Sequence, residues 1–359
     1  MQPHKNLRDG DGSLPTNGFS FVEMASNNQP EMLDFLDNFN FMQVGQHSEL
    51  AIIHFQQGHI HLIINFDPDS HAMQQARKKD CHVITGFGIR VNDCSKNAKQ
   101  LLVSRGGQSS PNGLMNIPAI QGPGEQLLYL VDPAIERQLY EQFFQPTPTV
   151  VDDNNRVNLK VLDHITINVN QGELDHWHNF FVEVFGFDLW TDYEIKVGKT
   201  WYRFSAIMSK NSKVRLPMNE PLDNISTVAE FVANNSGGGS QHLAFQAIDI
   251  VDSVSKLRKR GIDFLTIPDT YYEMVESRMP NHGEDLEQLK KHHILIDGIK
   301  DDKGRYLLLE QIFTKMMIKP IFFEVIKRRG NRGFGDGNVT ALSKSLEIDQ
   351  IRRGVLKGS

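Results

Sequence analysis

The feature that most constrains this chain is an order of elements that starts over. VITGFGIRV (83–91) reads as a strand followed by a helix from about Cys94 to Val103, and SQHLAFQAI (240–248) reads as a strand followed by the helix DIVDSVSKLRKRG. Gly106 stands 19 positions after Phe87, and Gly261 stands 19 positions after His242. Each is a glycine placed where a helix ends in a left-handed cap. Ahead of each restart the text also repeats. FSFVEM opens the first half, with a helix carrying Met32, Phe35 and Leu36 on one face and three β-rich runs, FMQVGQH, LAIIHF and HIHLIINF. VLDHITINV opens the second, with the helix ELDHWHNFFVEVF and the runs FDLWTDYEI, WYRFSAIM and KVRLPM. Internal similarity on this scale predicts duplicated βαβββ units, an α+β fold.

Length supports a division. The 359 residues exceed one ordinary domain. The stretch QPTPTVVDDNNRVNLK (about 145–160) is polar, carries two prolines and has no period, which suits a linker. The expected organisation is a loose tail over 1–18, a first domain over 19–150 and a second over 151–359. Two cysteines cannot build a disulfide framework, so a reducing, cytoplasmic setting is expected. No apolar run reaches the roughly 20 residues that cross a bilayer, and the start lacks a signal-peptide core. A net charge of −6 removes the electrostatic basis of general nucleic-acid binding.

Alternation along strands locates candidate chemistry, because successive side chains point to opposite faces. In VLDHITINV, His164, Thr166 and Asn168 share a face opposite Ile165 and Ile167; in SQHLAFQAI, His242, Ala244 and Gln246 lie opposite Leu243 and Phe245. Two equivalent strands thus each turn an imidazole to the inner side of a curved sheet, a metal site short of a third ligand. Two carboxylates compete for that place. Glu310 sits in the mixed run YLLLEQIF, and Glu324 sits between apolar neighbours in FFEVIKR, an awkward place for a charge unless a cation meets it. Alternation leaves both open and leans to Glu324. In the first half, Phe21 stands near the place of His164 and Phe87 at that of His242, so that half reads as lacking a metal.

Other features read as structural. His59 and His61 have an H-x-H spacing without a carboxylate on their strand; His176 and His178 sit two apart on a helix and face different ways; His292 and His293 are adjacent in an expected strand. The basic run Lys327-Arg328-Arg329 reads as a solvated face. RGNRGFGDGN matches no phosphate-binding loop, and no nucleophile elbow is present.

Several motifs, in order, resemble 4-hydroxyphenylpyruvate dioxygenases of the vicinal oxygen chelate superfamily: LDHITINV (162–169), LPMNEP (216–221), QHLAF (241–245), PDTYYE (268–273), ILIDG (294–298), QIFTK (311–315), FFEVIKRRGNRGFGDGN (322–338) and DQIRRGVL (349–356). The first half is similar more weakly, through NGFSFVE and the strand–helix unit over 86–106. The resemblance implies two vicinal-oxygen-chelate domains, with the metal site in the open barrel of the second. It implies Fe(II) held by His164, His242 and Glu324, and a 2-oxo acid and O2 as substrates. In that family 4-hydroxyphenylpyruvate loses CO2 and is hydroxylated on its ring to homogentisate. Ser205, Asn219 and Gln311 match the family's polar pocket positions, and Phe313 and Phe334 its aromatic ones. A helix over about 338–353 resembles the family's C-terminal gate, and a homo-oligomer, dimer or tetramer, is implied.

Two positions depart from the family pattern. Thr227 stands where a Gln is usual, and Val339 replaces the Phe of a GNF motif that flanks the substrate ring. These departures keep rivals in view: a paralogue acting on another 2-oxo acid, or a 4-hydroxymandelate synthase. Asn219 argues against the mandelate route. A non-catalytic protein binding a small aromatic ligand is the rival from another class, and the complete His164, His242 and Glu324 set argues against it.

Overall fold

The computed structural model describes residues 14, 16–92, 94, 109–110, 114, 117–148 and 156–352. Most of the helix expected after Cys94, and Gly106, lie outside the described residues, as do most of the tail and the end of the chain.

The first sheet contains β1 (Thr16–Ala25), β2 (Met42–His47), β3 (Ile52–Gln57), β4 (Ile60–Asn65), β5 (Val83–Val91), β6 (Ser109–Ser110), β7 (Ala119–Gln121), β8 (Leu127–Val131) and β9 (Phe144–Pro146). Its order is β6-β7-β8-β5-β1-β4-β3-β2-β9. The second contains β10 (Leu159–Asn168), β11 (Asp188–Val197), β12 (Thr200–Met208), β13 (Arg215–Pro221), β14 (Gly239–Ala247), β15 (Leu295–Lys300), β16 (Tyr306–Phe313) and β17 (Phe322–Arg329). Its order, β11-β12-β13-β10-β14-β17-β16-β15, matches that of the first sheet apart from the added β9. In all four units the first strand runs parallel to the fourth, and the other neighbours are antiparallel. The βαβββ repeat is therefore real at the level of pairing, and the fold is α+β with two mixed sheets.

Local signals explain the elements. The helix Gln29–Asn38 opens on Asn28, whose side chain accepts from the Glu31 N–H, with Pro30 in the first turn, where a missing donor costs nothing. Met32, Phe35 and Leu36 bury one face at helical spacing. That face joins the halves. Phe35 and Phe39 lie 4.8 and 5.3 Å, ring centre to ring centre, from Phe323 on β17, and Phe39 lies 5.8 Å from Phe245 on β14. Each buried ring is worth about 1.5–3 kcal/mol of transfer free energy. Phe245 and Phe323 occupy the back of the same strands that carry His242 and Glu324 in front, so the first half buttresses the strands of the candidate metal site. Gly124, at φ +63, allows a close approach between the halves: a Cβ there would lie 2.0 Å from the Gly238 carbonyl oxygen.

Three readings change. Gln145 and Pro146 do not open a linker but pair with β2, and Leu159 and Lys160 already belong to β10. His292 caps the helix Leu286–Lys291 and His293 turns at φ +57; the strand begins only at Leu295. Phe87 does not stand at the place of His242. On β5 it is Gly86 that pairs with Glu23, as His242 pairs with Thr166, and Phe87 packs against Phe19 on the opposite face. The matching count to the closing glycines was one residue out of register, and one residue reverses the face.

Candidate metal centre and pocket

Three adjacent strands build the centre. His164 on β10 pairs across with Ala244 on β14, which pairs with Glu324 on β17. The small Ala244 side chain leaves open the space over which His164 and Glu324 lean together, and His242 stands two residues along on the same face of β14. The His164 Nε2 lies 3.1 Å from a Glu324 carboxylate oxygen, and the His242 Nε2 lies 3.6 Å from it. One donor atom from each of the three residues falls within 4.8 Å of the others, and all three residues are buried. Bonds of about 2.1 Å at right angles would set donor atoms about 3 Å apart, so this set fits a divalent transition metal bound on one face. Among the described residues this is the one such group of ligating side chains.

A second layer orients the ligands. The His164 Nδ1 lies 2.9 Å from Asp163 Oδ1. An ionised carboxylate only accepts, so Nδ1 donates and Nε2 is left to bind a cation. Asp163 is held in turn by two 2.8 Å bonds from Arg328 and a longer one from Arg215. Burial alone would push Asp163 up, but Arg328 beside it holds the carboxyl well below the usual carboxylate range. Burial also opposes a charged His164, yet Glu324 and Asp163 outweigh it and raise its affinity for a proton. Burial lowers that of His242, and the neighbouring Glu324 offsets it only in part. Glu324, despite its burial, is lowered by the two imidazoles. With Asp163 neutralised by arginine, the negative charge of Glu324 is the one that asks for a cation.

In front of the triad lies a cavity of about 490 Å³. Phe334 meets the His164 ring edge-on at 5.5 Å; Phe322 stacks on His242 at 4.6 Å, and Phe313 meets it at 6.1 Å. Tyr193, Tyr202 and Phe204 line the wall built by β11 and β12. Two amides add polarity. Asn219 donates through Nδ2 to Asn168 Oδ1 at 2.9 Å, which leaves its carbonyl toward the cavity. Gln311 also lines the cavity, with its Oε1 accepting from Asn338 at 3.3 Å. Thr227, at the start of the helix Thr227–Asn234, and Val339, in the first turn of the helix Asp336–Arg352, complete the lining.

The structure thus brings together every residue that the family resemblance assigns to the metal and pocket except one. Ser205 pairs across from Met218, a core residue, and its hydroxyl is fully buried without a partner among the described residues. Its neighbour Phe204 takes the cavity face instead. Glu310 lies near Lys327 and Arg329, away from the triad. His59 is exposed in a turn, and His61 lies inside the first half, 2.9 Å from His54, so the H-x-H pair is split.

A family model described as hydroxyphenylpyruvate dioxygenase, N-terminal, matches residues 11–145, and one described as the glyoxalase, bleomycin resistance protein and dioxygenase superfamily matches residues 161–277. A 4-hydroxyphenylpyruvate dioxygenase of Pseudomonas aeruginosa is 38% identical over 351 residues, which are 96% of this chain and 97% of that protein. This chain belongs to the 4-hydroxyphenylpyruvate dioxygenase family. A relative of the same name from Legionella pneumophila is 37% identical and covers 95% of this chain and 96% of its own. A mutant 4-hydroxymandelate synthase from Streptomyces coelicolor, 23% identical, superposes with a TM-score of 0.76 over 94% of this chain and 100% of its own, and so shares the fold.

For a member of this family, alternation recovered the inner face and missed what supports it. Arg328 does not belong to a solvated face: it lies four residues past Glu324, hence on the same face of β17, and bonds Asp163. Asp163 was hidden for a better reason. A register shift between Leu162 and His164 turns adjacent residues toward one another, which strict alternation forbids.

Proposed function

We propose that this chain is an Fe(II)-dependent dioxygenase that converts 4-hydroxyphenylpyruvate and O2 to homogentisate and CO2. The observation that carries the reading is a buried two-histidine, one-carboxylate set opening onto a largely aromatic cavity of about 490 Å³. Bound Fe(II) would supply coordination positions for the oxo acid's carboxylate and keto oxygens and for O2, and electrons to reduce it. Overall one oxygen atom enters the new carboxylate, the other enters the ring, and the original carboxylate leaves as CO2.

The protein's own part is positioning and exclusion. Asp163 and Arg328 keep His164 in the ligating tautomer. Phe313 and Phe334 flank the space for an aromatic ring, the Asn219 carbonyl can accept from a phenol O–H, and Gln311 can donate to an acceptor oxygen. The helix Asp336–Arg352 lies over the cavity through Val339 and Leu342 and keeps bulk water from the reacting centre. We take the compartment to be cytoplasmic, in line with the two cysteines, and the assembly a homo-oligomer, as the family resemblance implies.

Val339 and Thr227 favour keeping one second reading, hydroxylation of the side-chain carbon to 4-hydroxymandelate, because both line the cavity where the ring must be held. The two products are isomers, so mass alone does not separate them. The test is anaerobic Fe(II) reconstitution, addition of 4-hydroxyphenylpyruvate and O2, and proton NMR of the chromatographed product. Homogentisate supports the reading. 4-Hydroxymandelate replaces it with the second, and oxygen uptake with a different 2-oxo acid alone overturns both.

A further inference from the structure

We infer that Tyr271, outside the cavity wall, is a positioning residue that sets which way the Gln311 amide faces and ties that choice to the seating of the C-terminal helix. The inference deepens the proposed function and rests on it for its substrate.

Tyr271 lies in the short helix Asp269–Glu273 and is fully buried. Its hydroxyl has four polar contacts, two from donors and two to acceptors. The Ile296 N–H donates to it at 2.9 Å and an Arg278 guanidinium nitrogen at 3.1 Å, while the Ile296 carbonyl at 2.9 Å and Asn338 Oδ1 at 2.6 Å are acceptors in reach. Two donors on the phenol oxygen leave its proton for an acceptor, and of the two in reach Asn338 Oδ1 at 2.6 Å is closer than the Ile296 carbonyl at 2.9 Å. A third donor on the oxygen, which a reversed Asn338 amide would bring, would exceed its two lone pairs. Burial pushes the phenol up to about 12, so that proton stays in place at neutral pH.

The consequence passes along one amide to the next. With Oδ1 taken by Tyr271, Asn338 turns its Nδ2 toward Gln311 and meets Oε1 at 3.3 Å. Gln311 therefore presents its N–H donors, not its carbonyl, to the cavity. Gly335 closes the other side: a Cβ on it would lie 2.1 Å from the same Oε1, so the loop before the helix leaves the amide little room. Asn338 stands in the first turn of the helix Asp336–Arg352, and its neighbour Gly337 is pinned by Asp297 through the backbone N–H and by Arg278 through the carbonyl. Only while this turn is seated is Gln311 a fixed donor. The ligand group it suits is an acceptor oxygen, and a ligand bound there favours the seated helix by the same amount, because coupling is reciprocal.

The test uses full-length, Fe(II)-loaded protein. Tyr271→Phe keeps the buried ring and removes only the hydroxyl. The expected result is a KM for 4-hydroxyphenylpyruvate raised about tenfold, the size of one lost hydrogen bond to a fixed group, with kcat changed by less than about threefold. In a Gln311→Met background the same substitution should raise KM no further. Amide hydrogen exchange over 335–339, which needs no substrate, should speed up in both single variants. Additive effects on KM, an unchanged KM in Tyr271→Phe, or exchange that is unaltered in Gln311→Met would each overturn the inference. Wild-type protein that fails to turn over this substrate would count against the proposed function, while the exchange result would still decide the coupling.

Discussion

The two halves of this chain are one fold with opposite interiors. Registers across the central strands place Phe21, Gly86 and Tyr129 where the second half has His164, His242 and Glu324. Phe21 packs on Tyr129 at 5.3 Å, and the helix Pro133–Gln138 with the turn Leu139–Phe143 plugs the space that serves as a cavity in the other half. The Tyr129 hydroxyl donates to Glu23 at 2.7 Å, and Glu23 also takes bonds from Asn65 and Thr85. Polar groups survive in both interiors, but in the first they satisfy one another and in the second they are left facing a cavity. A curved sheet of this kind does not make a metal site. Ligating groups gathered on its inner face beside open space do.

The largest expected effect breaks the second half. Wild-type protein should bind a single equivalent of Fe(II) or Co(II) per chain, and Glu324→Ala should bind none by elemental analysis after desalting. Asp163→Asn keeps all three ligands and should weaken metal affinity about 10–100-fold, the usual cost of losing the group that orients a ligating histidine. Full metal content in Glu324→Ala, or a second equivalent in the wild type, would end the comparison as drawn.

How much of this was legible beforehand follows from which physical rule governs each residue. The strand order of the repeat and the shared inner face of His164 and His242 obey period-two alternation and can be read from text, whereas alternation left both Glu310 and Glu324 open and the family resemblance made that choice. Arg328 was legible by the same rule, and charge counting obscured it. Ser205 shows the limit of transferring a role by position: a matched letter does not fix a face, and here the face belongs to Phe204. Asp163 needed the register shift, and the Tyr271–Asn338–Gln311 chain needed contacts between residues 27 and 67 apart in sequence. No local pattern encodes those.

A second effect separates the halves by pH. His54 and His61 sit inside the first half, and burial lowers them from 6.5 to about 4 and about 3. Around them stand His59, Arg90, Glu136 and Tyr140. Both imidazoles stay neutral in the fold and gain protons in the unfolded chain, so the unfolded state binds more protons as pH falls below 6.5. Stability is full above that value and declines toward the folded values near 4. At about 1.4 kcal/mol per unit, the loss by pH 4.5 is roughly 2–3 kcal/mol per imidazole. Urea unfolding at pH 7 and pH 4.5 should show a shallower decline in His61→Phe than in wild type; an equal decline would place the acid sensitivity elsewhere.

Somewhat smaller is the expected cost of Tyr129→Phe. The ring stays, but Glu23 loses one of its donors and the Leu114 N–H loses its acceptor. That should destabilise the protein by about 1–3 kcal/mol in chemical unfolding, with metal stoichiometry unchanged. Loss of metal in this variant would show that the first interior supports the second more directly than its packing implies.

The smallest effect sharpens the second interior from within. Val339 lines the cavity from the first turn of the C-terminal helix, beside Asn338 and across from aromatic walls on the other elements. A valine there gives a ring contact area but no face to stack on. Phe at this position adds an aromatic pair worth about 0.5–1.5 kcal/mol beyond its buried area, which is about two- to tenfold in affinity. Val339→Phe should therefore lower KM for 4-hydroxyphenylpyruvate by that factor and leave kcat little changed, because stacking holds ground state and transition state alike. A phenyl analogue lacking the 4-hydroxyl should gain equally, since the face of the ring and not its oxygen is what Phe would meet. An unchanged KM for both would mean that Phe313 and Phe334 already complete the ring site, and that this chain reached the same recognition with one aromatic fewer.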